Sequence, residues 1–207
     1  MKKTFEEMVM TIPFELRSKE LALGVTLNTG LEHDDVTLHK ENDTLMEYTA
    51  IPTFFRHLST LVNRRLSWCV AIEKAKEKAP HQIHAHGIMS DLTAKEIDIA
   101  KLVWVHTFYF AKFNHKSSIK VIKIEEPHAY FRPGSSIEKT VVYATKGYRG
   151  TVSLIPGSTE PNYRLSAAYH DDAKKCKIKR LEDIENLAND LKKGKEFATA
   201  ARRYLTG

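Results

Sequence analysis

The sequence predicts an α+β fold, an antiparallel sheet with helices on one face and the active site on the other. Short strand-like stretches alternate with segments whose apolar residues recur every three or four positions. Two of those stretches, around Val70 and Ala85, are joined by a link too short for a parallel crossover and so imply antiparallel pairing. Hydrophobic residues make up 42% and charged residues 28% of the 207, which supports a folded core and excludes a disordered, coiled-coil or collagen-like chain.

The first strand is read at 21–28 and ends at Thr29-Gly30, with a polar loop over 33–43. A helix is expected to follow Pro52, because proline suits a first helical turn. Phe54, Phe55, Leu58, Leu61, Val62 and Leu66 would form its buried face. Strands are read at 68–73 and 82–89, separated by a charged connector. A helix starts near Asp91 and runs to about residue 112, and an alternating strand is read over 118–124. Ser135 or Ser136 caps a short helix through Lys146, stopped by Gly147. A further strand is read over 151–155, ended by Pro156-Gly157, and one terminal helix over 181–204. The order strand–helix–strand–strand–helix–strand is that of a ferredoxin-like or RRM-like sandwich, with one sheet face left open. This divides the chain into an N-terminal extension (1–20), a central domain (21–150) and a C-terminal extension (151–207).

No apolar run approaches the ~20 residues that span a bilayer, so no membrane association is expected. Glu6 and Glu7 stand where an export signal needs its apolar stretch. Cys69 and Cys176 form no C-x-x-C pair, which disfavours a disulfide scaffold or a Cys-based zinc site and suits a reducing interior. A net charge of +6 mildly favours a polyanionic partner.

His84 and His86 lie two apart on a predicted strand, so both imidazoles face one side, roughly 7 Å apart along the chain. Glu73 on the neighbouring strand supplies a carboxylate. Two imidazole nitrogens and a carboxylate oxygen suit Mn²⁺ or Mg²⁺ acting on a phosphate, and Zn²⁺ is also compatible. The bland alternative is two surface histidines on a half-solvated sheet; His81 could pair with His84 if the turn bends it back. Tyr143 and Lys146, three apart on a predicted helix, are neighbours on its surface. A cation there favours phenolate, and a phenolate is a nucleophile toward a phosphodiester; the alternative is a tyrosine at a core edge.

In their order and placement these residues resemble the HUH endonuclease superfamily, specifically its single-tyrosine rolling-circle replication initiator (Rep) proteins. The motifs are Val25-Thr26-Leu27-Asn28-Thr29 on the first strand, His84-Ala85-His86-Gly87 with Glu73 beside it, and the Tyr143-x-x-Lys146 helix. The resemblance spans residues 21–150. Two departures are the small Ala85 between the histidines, which would loosen the core behind the site, and the long connector between Glu73 and His84. Glu125 and Glu126 are acidic alternatives outside the motif.

The resemblance implies a metal-dependent, site-specific single-stranded DNA endonuclease and nucleotidyltransferase. Its metal ligands would be His84, His86 and Glu73, its nucleophile Tyr143, and its phosphate-neutralising group Lys146. It implies an origin hairpin as substrate, a 5′-phosphotyrosine intermediate, a free 3′-hydroxyl, and a location in the cytoplasm of a prokaryotic host cell. The chain has no G-x-x-x-x-G-K-[ST] loop, so a separate helicase is expected. Asn28, Arg64, Arg65, Lys174, Lys175 and Lys177 are candidate DNA contacts; the plain alternatives are cations at a helix C-terminus for Arg64-Arg65 and a solvated charged loop for the 174–180 run. Other readings are an HUH transposase or relaxase, and a non-catalytic single-stranded nucleic-acid-binding module. The last expects exposed aromatics on the sheet, and none is read at positions equivalent to the histidines.

Overall fold

The computed structural model describes residues 5–33, 46–72, 81–114, 122–123, 126–145, 154–161, 181–189 and 193–207. Its helices are α1 (Phe5–Thr11), α2 (Phe14–Arg17), α3 (Ile51–Val62), α4 (Ala94–Asn114), α5 (Ile137–Thr145), α6 (Leu181–Ala188) and α7 (Gly194–Thr206). Its strands are β1 (Leu21–His33), β2 (Leu66–Ile72), β3 (His81–Met89), β4 (Ile122–Lys123), β5 (His128–Ser136) and β6 (Leu154–Thr159). The fold is mixed helix and strand, built on one antiparallel sheet. β1, β3, β2 and β6 lie side by side in that order, and the outer edge of β1 pairs with β5 and, beyond it, with β4.

Strand alternation sorts the sheet into two faces. Leu23, Val25 and Leu27 of β1, Trp68, Val70 and Ile72 of β2 and Ala85 and Met89 of β3 point toward α3, α4, α6 and α7, forming the main core. Phe54 and Phe55 of α3 are fully buried there; the Phe55 ring stacks on the Trp68 indole at 4.4 Å, and Trp104 of α4 meets Phe54 edge-on at 5.7 Å. Such pairs contribute about 0.5–1.5 kcal/mol each beyond their buried area. α4 begins with a capping box: the Thr93 N–H donates to Glu96 Oε2 at 2.7 Å and the Glu96 N–H donates to Thr93 Oγ1 at 3.3 Å. The Lys139 N–H donates to Ser136 Oγ at 3.3 Å, which makes Ser136 the cap of α5.

The opposite face is not bare. Ala22, Cys69 and Ile88 are covered by Ile12 and Leu16 of the N-terminal segment and by Ile137 and Val141 of α5, which together form a second core. The expected single helical layer is therefore corrected to helices on both sides, with the second layer covering one end of the sheet.

Five other expectations change. The helix expected after Pro52 is preceded by a π-helix over Met46–Ala50. Met46 and Ala50 are both buried, and Pro52, with no N–H to donate, marks the change into α3. Leu66 belongs to β2 rather than to the helix face. β6 runs through Pro156 and Gly157 instead of ending there: β6 lies at the sheet edge, where a missing N–H is tolerated, and Gly157 lies so close to the Trp68 ring that a Cβ would collide with it. The terminal helix is two helices. Both α6 and α7 enter the main core, through Ile184 and Leu187 and through Phe197 and Ala200. The strand read over 118–124 is described at Ile122–Lys123 alone, and the principal neighbour of β1 on that edge is β5.

Among the described residues no helix is long and apolar enough to cross a membrane.

Candidate active site

β3 carries His84 and His86 on the second face, beyond the end covered by α5. Their rings lie edge to face with centroids 4.6 Å apart, and both are half-buried. Cross-strand register sets what surrounds them. His86 pairs with Thr26 of β1 and Ala71 of β2, and His84 pairs with Asn28. Across β1, Thr26 pairs with Tyr130 and Asn28 with His128 of β5. One row therefore reads Tyr130, Thr26, His86, Ala71, and the next reads His128, Asn28, His84.

Thr26 Oγ1 lies 2.9 Å from His86 Nδ1. With the proton on Nδ1 donated to the hydroxyl, Nε2 keeps its lone pair for an ion, the arrangement by which a neighbouring oxygen orients a metal-ligating imidazole. A close pair of imidazoles with one ring so oriented offers two of the nitrogen donors that divalent cations take. Among the described residues, no group of three or more His, Cys, Asp or Glu side chains is placed to hold one. The carboxylate read as the third ligand, Glu73, lies outside the described residues, as do Lys146, Lys174, Lys175, Lys177 and Glu125.

Tyr143 is on α5, two residues beyond Val141, whose side chain is in the second core with Ile88 of β3. The helix bearing the candidate nucleophile thus packs on the face that bears the histidines, and Ile88 is one same-face position from His86.

Asn28 is buried, and its Oδ1 accepts the Gly30 N–H at 2.8 Å. Gly30 has φ of 67°, a left-handed conformation that glycine tolerates, and the β1–β3 register shifts between Asn28 and Glu32. Buried Asn28 also holds the core: its carbonyl accepts the Trp104 indole N–H at 2.7 Å. Arg64 pairs with Glu96 at 2.8 Å, and Arg65 with Glu15 at 3.3 Å and Glu160 at 3.4 Å. Both precede β2, six or seven residues from Ala71, so they stand about 20 Å along the strand from the histidine rows. Cys69 is inert by its surroundings, since burial pushes its thiol up to about 12.

No protein-family model, curated protein or solved structure gives a significant match to this chain. The geometry stands alone.

Three residues of the site were not read from the sequence: Thr26 as a partner of His86, and His128 and Tyr130 as members of the same face. The signal for the last two was present. His128, Tyr130 and Arg132 alternate with Ala129 and Phe131, a period of two that Pro133-Gly134 cuts short. Tyr130 is 63% exposed, and its ring meets that of His128 edge-on at 4.8 Å. The expectation of a histidine face without an aromatic is therefore corrected.

A second histidine pair lies on the other side of the sheet. His57 of α3 is half-buried, with Nδ1 3.4 Å from Thr107 Oγ1 of α4. His106 of α4 is buried, with Nδ1 3.3 Å from the Ala188 carbonyl of α6 and its ring 4.9 Å from Phe197 of α7. Burial, then the neighbouring His106, then Arg56 push His57 down to about 4. Burial also pushes His106 down, partly offset by its bond to Ala188. Both are held neutral, as structural histidines are.

Proposed function

We propose that this protein is a metal-dependent tyrosine endonuclease of single-stranded DNA, of the HUH replication-initiator kind. The observation that carries the reading is the pair His84 and His86, 4.6 Å apart on an open part of the sheet, with Thr26 at Nδ1 of His86. The helix bearing Tyr143 packs on that same face. The sheet order β5-β1-β3-β2 is the one a ferredoxin-like sandwich would have.

His84 and His86, with Glu73, would hold Mn²⁺ or Mg²⁺. When bound, the ion supplies polarisation of a phosphate oxygen and so lowers the barrier to attack on phosphorus. The Tyr143 phenol loses its proton to solvent, and its oxygen forms a bond to phosphorus. The bond from phosphorus to the 3′ oxygen breaks, and that oxygen takes up a proton to give a free 3′-hydroxyl. The DNA 5′ end remains on Tyr143 as a phosphodiester, which the reverse attack by a 3′-hydroxyl rejoins. Lys146 would neutralise charge on the phosphate. An origin hairpin as substrate, a separate helicase and a prokaryotic cytoplasm belong to the same reading.

The test is a covalent-adduct assay with a randomised single-stranded DNA pool and Mn²⁺, run on a denaturing gel. A shifted band, lost with Tyr143→Phe, with His84→Ala/His86→Ala and with a chelator, is the expected result. An adduct undiminished in Tyr143→Phe overturns the assignment. Tyr130 on the histidine face favours a second reading, a sheet that binds single strands without cutting them. That reading predicts retained DNA and no adduct under any condition.

A further inference from the structure

We infer that Tyr130 is a base-stacking platform for single-stranded DNA, set two strands from His86 in the same cross-strand row. The inference rests on the proposed reading of this face as a DNA site. Tyr130 pairs with Thr26, and Thr26 pairs with His86, so the three backbones stand about 5 Å apart in sequence across the sheet. The ring is 63% exposed although it belongs to a paired strand and meets His128 edge-on at 4.8 Å. A T-shaped contact touches a ring at its edge or on one face and so leaves at least one face for a flat partner.

The surroundings specify that partner. Arg132 follows Tyr130 by two residues, pairs with Gly24, and is exposed on the same face. An aromatic face beside a guanidinium, on a protein of net charge +6, is complementary to a nucleotide: the base on the ring, the phosphate at the cation. A protein or lipid partner would call for an apolar surround, whereas the neighbours of Tyr130 are His128, Thr26 and Arg132. Duplex DNA keeps its bases stacked inside and has no free base face to offer, so single strands are the fitting form. A base held at Tyr130 would place the flanking backbone over Thr26 and His86. The tyrosine then acts as a positioning residue for the strand to be cut.

The test is fluorescence anisotropy of the full chain with a labelled single-stranded pool of random sequence and with an abasic strand of equal length. Tyr130→Ala should weaken binding of the pool by between about 5-fold and about 100-fold and change binding of the abasic strand little. Tyr130→Phe should restore pool binding, since the face is kept, and Arg132→Ala should weaken both strands. Equal affinity of Tyr130→Ala and the unaltered protein for the pool overturns the inference. So does an equal loss on pool and abasic strands, or the absence of measurable pool binding by the unaltered protein. Failure of the cutting reading is separate: no covalent adduct, with stacking intact, leaves Tyr130 as part of a binding module.

Discussion

Acid should weaken this fold before its carboxylates titrate, through the pair His57 and His106. His57 falls to about 4 in the folded protein from an ordinary value of 6.5. Between those limits the unfolded chain binds more protons than the folded one, so stability falls as pH falls. It is fully present above about 6.5, with about 2 kcal/mol lost by pH 5 and about 3 kcal/mol by pH 4. His106 is pushed the same way and adds to the loss. The charges would form between α3 and α4 where α6 and α7 pack, through the Ala188 carbonyl and the Phe197 ring. Urea unfolding followed by circular dichroism at about pH 7.5 and about pH 5 measures the loss directly. In His57→Leu, which keeps an apolar body at a half-buried position, the loss between those two values should shrink by about 2 kcal/mol. If the unaltered protein and His57→Leu lose the same stability over that interval, the folded-state depression of His57 is wrong.

Two further predictions concern the residues behind the site. Thr26→Val keeps the shape of a strand residue but removes the oxygen 2.9 Å from His86 Nδ1, and Mn²⁺ affinity by calorimetry should fall about 10–100-fold; unchanged affinity would refute the orienting role. Trp104→Phe removes the indole N–H from the buried Asn28 carbonyl and should cost about 1–3 kcal/mol in urea unfolding, with a cost near zero refuting the bond's importance.

The sheet was legible in the sequence wherever one strand had a simple job. β2 and β3 were read within two residues at each end, and β1 from its first residue, because one face of each carries the core. β1 does not end at Thr29-Gly30 but runs on to His33, since Gly30 takes its left-handed φ inside the strand at the register shift. What escaped were segments whose local chemistry pointed elsewhere. β5 was missed because Pro133-Gly134 interrupts its alternation, yet it is the long partner of β1. β6 was cut short at Pro156-Gly157, because only the neighbouring strand shows that among the described residues its Pro lies on the outermost strand and that Gly157 yields space to Trp68. The histidine pair was visible from a spacing of two, but Thr26 as the partner of His86 depends on the β1–β3 register, which no local pattern encodes. The second helical layer depends on α1, α2 and α5 reaching Cys69 and Ile88, contacts distant in sequence.

The small residues of β3 bear on how firmly the site is held. Ala85 between the histidines is fully buried among the main-core residues. Gly87 has no room for even a Cβ, since the Cys69 carbonyl and Val70 of β2 fill that space. β3 is thus drawn tightly between β1 and β2, and a one-residue slip would drive His84 and His86 into the core and expose Ala85 and Met89. Register and site are therefore one constraint. The same arrangement places two histidine pairs on opposite sides of one sheet, His84 and His86 on the second face and His57 and His106 packed neutral among the helices of the first. If the proposed adduct forms, its loss in acid need not come from the candidate site, because unfolding through His57 and His106 removes it too. His57→Leu relieves the fold alone. Recovery of the adduct in that variant assigns the loss to the helical side of the sheet.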